Sequence, residues 1–304
     1  MRNQRWQIIS AQVFINLIWA SAFPGIRVSL EAFSPQHLVL LRLIIGSLLL
    51  LGVALLKGIK LPDAKDIPAL IGLGGLGFTS YHLLLSIGEK TVSAGIASLL
   101  VSTTPILSAL LAFILVRERI GKMKWLGSCI SIIGISLISF TSGSVSASMI
   151  GISLILLAAL SESMYFVFQV KLLKKYGFLS FVTYTVWGGA LLMLFFSPGI
   201  GSDLQHAPKD SLLSVLYLGI IPTIIPYLIL AYITAKMGAS EATSSLYMTP
   251  VFTFVISWLW IYEVPTFLSI VGGIITLLGI ACTHLPQKTR SIRDGEYIIS
   301  KRNI

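Results

Sequence analysis

The sequence predicts an all-α polytopic membrane protein of ten transmembrane helices, arranged as two inverted five-helix repeats. Three observations predict it. Apolar residues make up 55% of the 304 and charged residues 11%, too little polar surface to solvate a globular protein of this size. Thr104-Pro105 returns as Thr249-Pro250 at an offset of 145, and the same offset carries Glu118 onto Glu263, Gly127 onto Gly272 and Gly134 onto Gly279. Each copy holds five hydrophobic spans. Five is odd, so the second copy must thread the bilayer upside down relative to the first. Inverted repeats are the architecture of secondary transporters, with the substrate site near the midplane where the copies meet.

Taking roughly 30 Å as the hydrocarbon thickness to be crossed, the spans of the first copy fall at about 9–28, 36–56, 67–86, 92–115 and 123–141. Those of the second fall at about 149–171, 180–197, 212–235, 241–261 and 267–285. The third is weakened by Pro68 and by glycines 72, 74, 75 and 77, and the seventh is short. The first repeat thus occupies 1–141, an uncharged linker 142–148, the second repeat 149–285, and a basic tail 286–304. The first span follows a short basic N-terminus but runs on to Arg27 without a small-x-small cleavage site, so it reads as a retained span. The outer connection 198–211 carries Pro198, Gly199, Gly201 and Pro208, which is loop chemistry. Cys129 and Cys282 both fall within spans, which excludes a disulfide framework and zinc spacing. No metal or cofactor is expected.

A net charge of +10 would suggest nucleic acid in a soluble protein, but its placement here points to lipid. With a cytoplasmic N-terminus, eighteen lysines and arginines collect on the inner side and three, Arg27, Lys90 and Lys209, on the outer, with Arg42 inside the second span. That asymmetry predicts an even number of spans and two cytoplasmic termini.

Asn16 to Phe23 in the first span, Leu41-Arg42-Leu43 in the second and Ala94 to Leu100 leading to Thr104-Pro105 in the fourth form an ordered series. Glu118, Trp125-Leu126-Gly127 and Gly134 extend it, and it recurs as Ala239 to Leu246, Thr249-Pro250, Glu263 and Gly272. The series resembles the drug/metabolite transporter superfamily, and within it the EamA-type ten-helix branch, over roughly residues 8–285. One departure is Ser161-Glu162-Ser163-Met164-Tyr165, which stands where the first copy has its Trp. The resemblance implies export of a small metabolite, an amino acid or analogue, across a bacterial cytoplasmic membrane.

The candidate substrate site follows from the residues. Ser98, Ser102 and Pro105 lie at i, i+4 and i+7 on one face of the fourth span, and the offset maps them onto Thr243, Tyr247 and Pro250 of the ninth. Each proline removes a backbone donor, kinks its helix and frees a carbonyl. The competing reading is that these hydroxyls bond neighbouring carbonyls and that small residues allow close packing. Trp19, Tyr81, His82, Tyr165, Tyr227 and Tyr247 fall inside apolar segments and offer apolar walls with one polar handle each, or plain packing, which is the leading reading for His82. Glu162 lies near the middle of the sixth span with Tyr165 and Gln169 on its face, and a carboxylate at that depth marks a pathway or a pair; the competing reading is a permanently protonated group hydrogen-bonded across helices. Arg27 and Arg42 read first as snorkelling to outer headgroups or pairing with Glu31, and second as binding a substrate carboxylate. The glycine pairs of spans five and ten read as scaffold, with homodimer contact the lesser alternative.

The pattern predicts alternating access by a secondary transporter whose partners are a small-molecule substrate and the bilayer. A channel is the runner-up. An intramembrane enzyme stands third, since the chain carries no HExxH, no GxSxG and only four scattered histidines.

Overall fold

A computed structural model describes residues 2–116, 122–139, 145–237, 242, 246 and 248–283. All regular structure among them is helical. The linker 142–144, the tail after Thr283, Glu118, Thr243 and Tyr247 lie outside the described residues. Among the described residues six stretches are long and apolar enough to cross a membrane: Pro35–Lys57, Ala64–Gly88, Ala94–Leu111, Met149–Phe168, Val170–Phe196 and Lys209–Ala235. Three more, Trp125–Gly134, Thr249–Ile261 and Phe267–Gly279, are apolar but shorter.

Helix α1 (Arg2–Ser29) has the length of a span, but Gln12, Asn16 and Ser21 dilute its apolar character, and it packs between later helices. Helix α2 (Pro35–Lys57) starts where Ser34 accepts a hydrogen bond from the His37 amide at 3.2 Å and Pro35 takes the first turn, and it stops at Gly58 in the left-handed conformation. The third span is composite. Helix α3 (Ile67–Gly74) passes through a π-helical turn, Gly75–Ser80, into α4 (Tyr81–Gly88). The glycines that weaken this span in the sequence are what its packing requires: a Cβ on Gly77 would lie 2.6 Å from the Tyr165 ring. Hydroxyls serve the carbonyls of the π turn, with Ser161 donating to Leu76 O at 2.8 Å and Tyr227 to Gly77 O at 3.4 Å.

The fourth span is a broken helix rather than a kinked one. Helix α5 (Ala94–Val101) ends at Ser102-Thr103, and α6 (Thr104–Val116) begins with Pro105 in its first turn. Helices α7 (Lys122–Ser139), α8 (Val145–Phe168) and α9 (Val170–Met193) follow. Gln169 keeps helical dihedrals, so the turn between spans six and seven comes at Gly177, whose φ of 75° suits glycine. Short α10 (Ile200–His206) and long α11 (Lys209–Met237) lead to α12 (Thr249–Ile261), which like α6 starts with a proline in its first turn. Helix α13 (Phe267–Thr283) closes the described chain.

Helices α7 and α13 pack face to face through the predicted glycines. A Cβ on Gly134 would lie 2.6 Å from Gly272 O, and one on Gly279 would lie 2.6 Å from Gly127 O. Ser131 donates to Gly127 O at 3.0 Å and across the pair to Thr276 O at 3.2 Å. Elsewhere α1 lies against α11, α12 and α5, and α4 with the π turn lies against α8. Large apolar side chains such as Leu56, Phe195, Leu213, Leu259 and Phe267 stand exposed around the outside, the surface expected of a bundle solvated by lipid.

Candidate functional site

The two proline-led helix starts face one cavity. It is lined by Trp19, Ala22, Phe23 and Ile26 of α1, Arg42 of α2, and Tyr81, His82 and Leu85 of α4. Ser98, Val101 and Ser102 come from the fourth span, Glu162 from α8, and Leu246 and Thr249 from the start of the ninth. Val101 and Leu246 each stand four residues before a proline. Neither Pro105 nor Pro250 has an amide to take the carbonyl four positions back, so the Val101 and Leu246 carbonyls lose that helical partner.

Two threonines tie the breaks to the rest of the bundle. Thr104 donates its hydroxyl to Glu162 Oε2 at 3.0 Å, and Ser163 donates to Thr104 O at 2.9 Å. Thr249 donates to Asn16 Oδ1 at 2.6 Å, while Asn16 Nδ2 donates to Gln12 O. Glu162 is 3% exposed and Arg42 2%, so a carboxylate and a guanidinium share one water-poor space. Arg42 Nε donates to Thr223 Oγ1 at 2.6 Å, and Thr223 passes the bond to Leu218 O. Snorkelling to headgroups is therefore wrong for Arg42: side-chain contacts with α11 hold it inside, and no carboxylate among the described residues forms a salt bridge with it. Arg27 keeps its place near the surface, but its guanidinium donates to the main-chain oxygen of Glu89 rather than pairing with Glu31.

Of the residues singled out in the sequence, Trp19, Tyr81, His82, Ser98, Ser102 and Glu162 line the cavity. The hydroxyls of Ser98 and Ser102 are committed to their own helix, donating to Gly95 O and Leu99 O, so they present only acceptor lone pairs. Tyr165 and Tyr227 are buried one layer below, in an aromatic cluster with Phe78: ring centroids lie 5.6 Å apart for Phe78–Tyr165, 4.6 Å for Phe78–Tyr227 and 5.3 Å for Trp19–Tyr227. Gln169 is buried further along α8 and outside the cavity lining. Pro105 and Pro250 head their half-helices beside the site, while Thr243 and Tyr247 are beyond the described residues. Sequence reasoning ranked a substrate-facing Arg42 second, and the structure places it in the wall. The signal available was its position seven residues inside α2, too deep for a long side chain to be assumed outward-facing.

The cavity is only about 30 Å³, room for two or three waters at about 10–15 Å³ each. A solute of several heavy atoms enters only when the helices around the breaks move apart.

Comparison with known proteins decides the class. The EamA-like transporter family matches residues 6–140 and, a second time, residues 149–285. This chain belongs to the EamA-like transporter family. It is similar to the "Uncharacterized transporter YdfC" of Bacillus subtilis, 55% identical over 94% of this chain and 93% of that one. It is also similar to a "Probable terminal-alkyne amino-acid exporter" of Streptantibioticus cattleyicolor, 33% identical over 89% and 91% of the two chains. A solved crystal structure superimposes with a TM-score of 0.64 over 92% of this chain and 98% of its own at 18% identity, a likeness of fold. As an EamA transporter the protein is multi-pass and membrane-embedded, and the cavity beside its two proline-led helix starts is the candidate place for its substrate.

Proposed function

We propose that this transporter exports an amino acid or a closely related amphipathic solute by alternating access, across a bacterial cytoplasmic membrane with both termini inside. The observation that carries the reading is one buried cavity walled by both Arg42 and Glu162. A zwitterion matches that pair. Its carboxylate meets the planar guanidinium fork, its ammonium donates to a side-chain oxygen of Glu162, an acceptor the group keeps whether or not it is ionised, and an apolar side chain lies against Phe23, Ile26 and Leu85. The similarity to a relative named as an amino-acid exporter supports the same substrate class. Ten spans in two inverted repeats are part of the proposal. They are supported by the double family match and by the reciprocal contacts of Gly134 with Gly272 and of Gly279 with Gly127.

The test uses purified protein in liposomes loaded with L-propargylglycine, a terminal-alkyne amino acid. Labelled L-propargylglycine, its decarboxylated amine and its deaminated acid are offered outside in turn. Saturable, trans-stimulated counterflow of the zwitterion alone is expected. Equal entry of all three, or flux that neither saturates nor responds to solute inside, is the behaviour of a channel and overturns the proposal.

A further inference from the structure

Ten buried side-chain nitrogen and oxygen atoms among the described residues have no hydrogen-bond partner, and five of them belong to His82, Ser86 and Glu89. Buried polar groups are normally satisfied, so this clustering on one short helix calls for an explanation. The three residues stand at i, i+4 and i+7 on α4 and its C-terminal cap, on one face, with axial steps of about 6 and 4.5 Å. Ser86 is the informative member. Serines in membrane helices usually bond back onto their own turn, as Ser29, Ser98, Ser102, Ser131 and Ser163 do here. Ser86 does not.

The row has a definite beginning and end. His82 lines the central cavity with Glu162. Glu89 is 0% exposed and stands next to Lys90, in the connection that the charge pattern places outside. There Arg27, Glu31, Lys90 and Glu263 line a recess of about 420 Å³. Arg27 spends a donor on the main-chain oxygen of Glu89 and leaves its carboxylate unbonded, while Glu263 accepts from the Ala94 amide at 3.3 Å.

We propose that Glu89, Ser86 and His82 form a proton path from the outer recess to the central cavity, with Glu89 as the proton-loading site. This deepens the transport reading by naming its coupling ion, and its link to substrate movement rests on that reading. A proton from outer water adds to the Glu89 carboxylate. Ser86 accepts a proton and releases its own. His82 takes a proton on one ring nitrogen and gives up one from the other, and the Glu162 carboxylate receives it. One proton has then moved inward, and each intermediate group is restored once its tautomer or rotor resets. The axial steps suit a single bridging water between neighbours. Burial also holds the Glu89 carboxyl well above the usual carboxylate range, with Arg27 opposing, Glu263 reinforcing and Arg42 opposing. The protonated form therefore belongs to the covered conformation. As pH rises through that raised value, ionisation disfavours this conformation and favours one that admits water or Arg27 to the carboxylate.

Two measurements on the full-length protein test the path. Infrared spectra at neutral pH should contain a protonated-carboxyl band that disappears in Glu89→Gln and survives in Glu162→Gln; a spectrum unchanged in Glu89→Gln overturns the proposal. In liposomes holding a trapped pH dye and L-propargylglycine, with acid outside, Glu89→Gln and Ser86→Ala should cut coupled proton uptake by about tenfold or more. Counterflow of L-propargylglycine should persist in both variants and report that they are folded, and Ser86→Thr should restore uptake. Undiminished proton uptake in Glu89→Gln overturns the path. If the wild-type protein carries no L-propargylglycine, the substrate assignment fails, and the infrared measurement still decides whether Glu89 holds a proton.

Discussion

Thr104 and Thr249 stand immediately before the two prolines, 145 residues apart, and each donates its hydroxyl across the bundle to a buried partner. One partner is the Glu162 carboxylate, at 3.0 Å; the other is the Asn16 amide oxygen, at 2.6 Å. The geometry of the two crossings is alike and their chemistry is not. At one, the acceptor can hold a charge or a proton. At the other it is neutral and is itself held by its second bond, to Gln12 O. The repeated Thr-Pro step therefore supplies two proline-led helix starts, and their partners differ in whether they can ionise. The packing of α7 on α13 shows the opposite behaviour, because the Gly134–Gly272 and Gly279–Gly127 approaches are the same to within the distances observed.

The largest effect should come from that scaffold. Gly134→Leu and Gly279→Leu each drive a side chain into backbone 2.6 Å from the Cβ position and should abolish folded protein to the same degree. Gly52→Leu, where a Cβ meets nothing within 4 Å, should leave yield near wild type. Size-exclusion profiles of detergent extracts read both, and a large difference between the two glycine variants would break the equivalence.

Next come the crossings themselves. Thr104→Val removes a bond to a group that ionises, worth about 1.5–3 kcal/mol, so transport at matched abundance should fall about tenfold to a hundredfold. Thr249→Val removes a neutral bond of about 0.5–1.5 kcal/mol and should cost about two- to tenfold. Equal losses in a counterflow assay would mean that the carboxylate is unimportant. The smallest effect is expected for Ser102→Ala, whose hydroxyl already serves Leu99 O. Counterflow should change by less than about twofold, and a larger drop would show that Ser102 gives its proton to the substrate.

Much of this was legible in the chain. The repeated Thr-Pro step located the two proline-led helix starts, the glycine pairs located the α7–α13 contact, and the depth of Glu162 marked the cavity. What stayed hidden depended on which way a helix face turns. Arg42 read as an outward-reaching cation because nothing in α2 tells that Thr223 of a distant helix waits beside it. Glu89, in the polar run Glu89-Lys90-Thr91, was not singled out at all, since burial there is imposed by neighbouring helices. The π turn was visible only as a weakness: glycines that lower span character are the ones that admit the Tyr165 ring. Tyr165, Tyr227 and Gln169 were placed inside the bundle by their depth, but depth alone does not separate a cavity wall from the layer beneath it.

The central claim is that Glu162 carries the ionic step of transport, and it is tested most directly by comparing gradient-driven uptake with solute exchange in liposomes for wild type and Glu162→Gln. Glutamine fixes the neutral form. Exchange of L-propargylglycine for L-propargylglycine never requires the carboxyl to lose its proton, so it should survive, whereas uptake driven by a proton gradient should collapse. A gradient response that persists undiminished in Glu162→Gln would contradict the account.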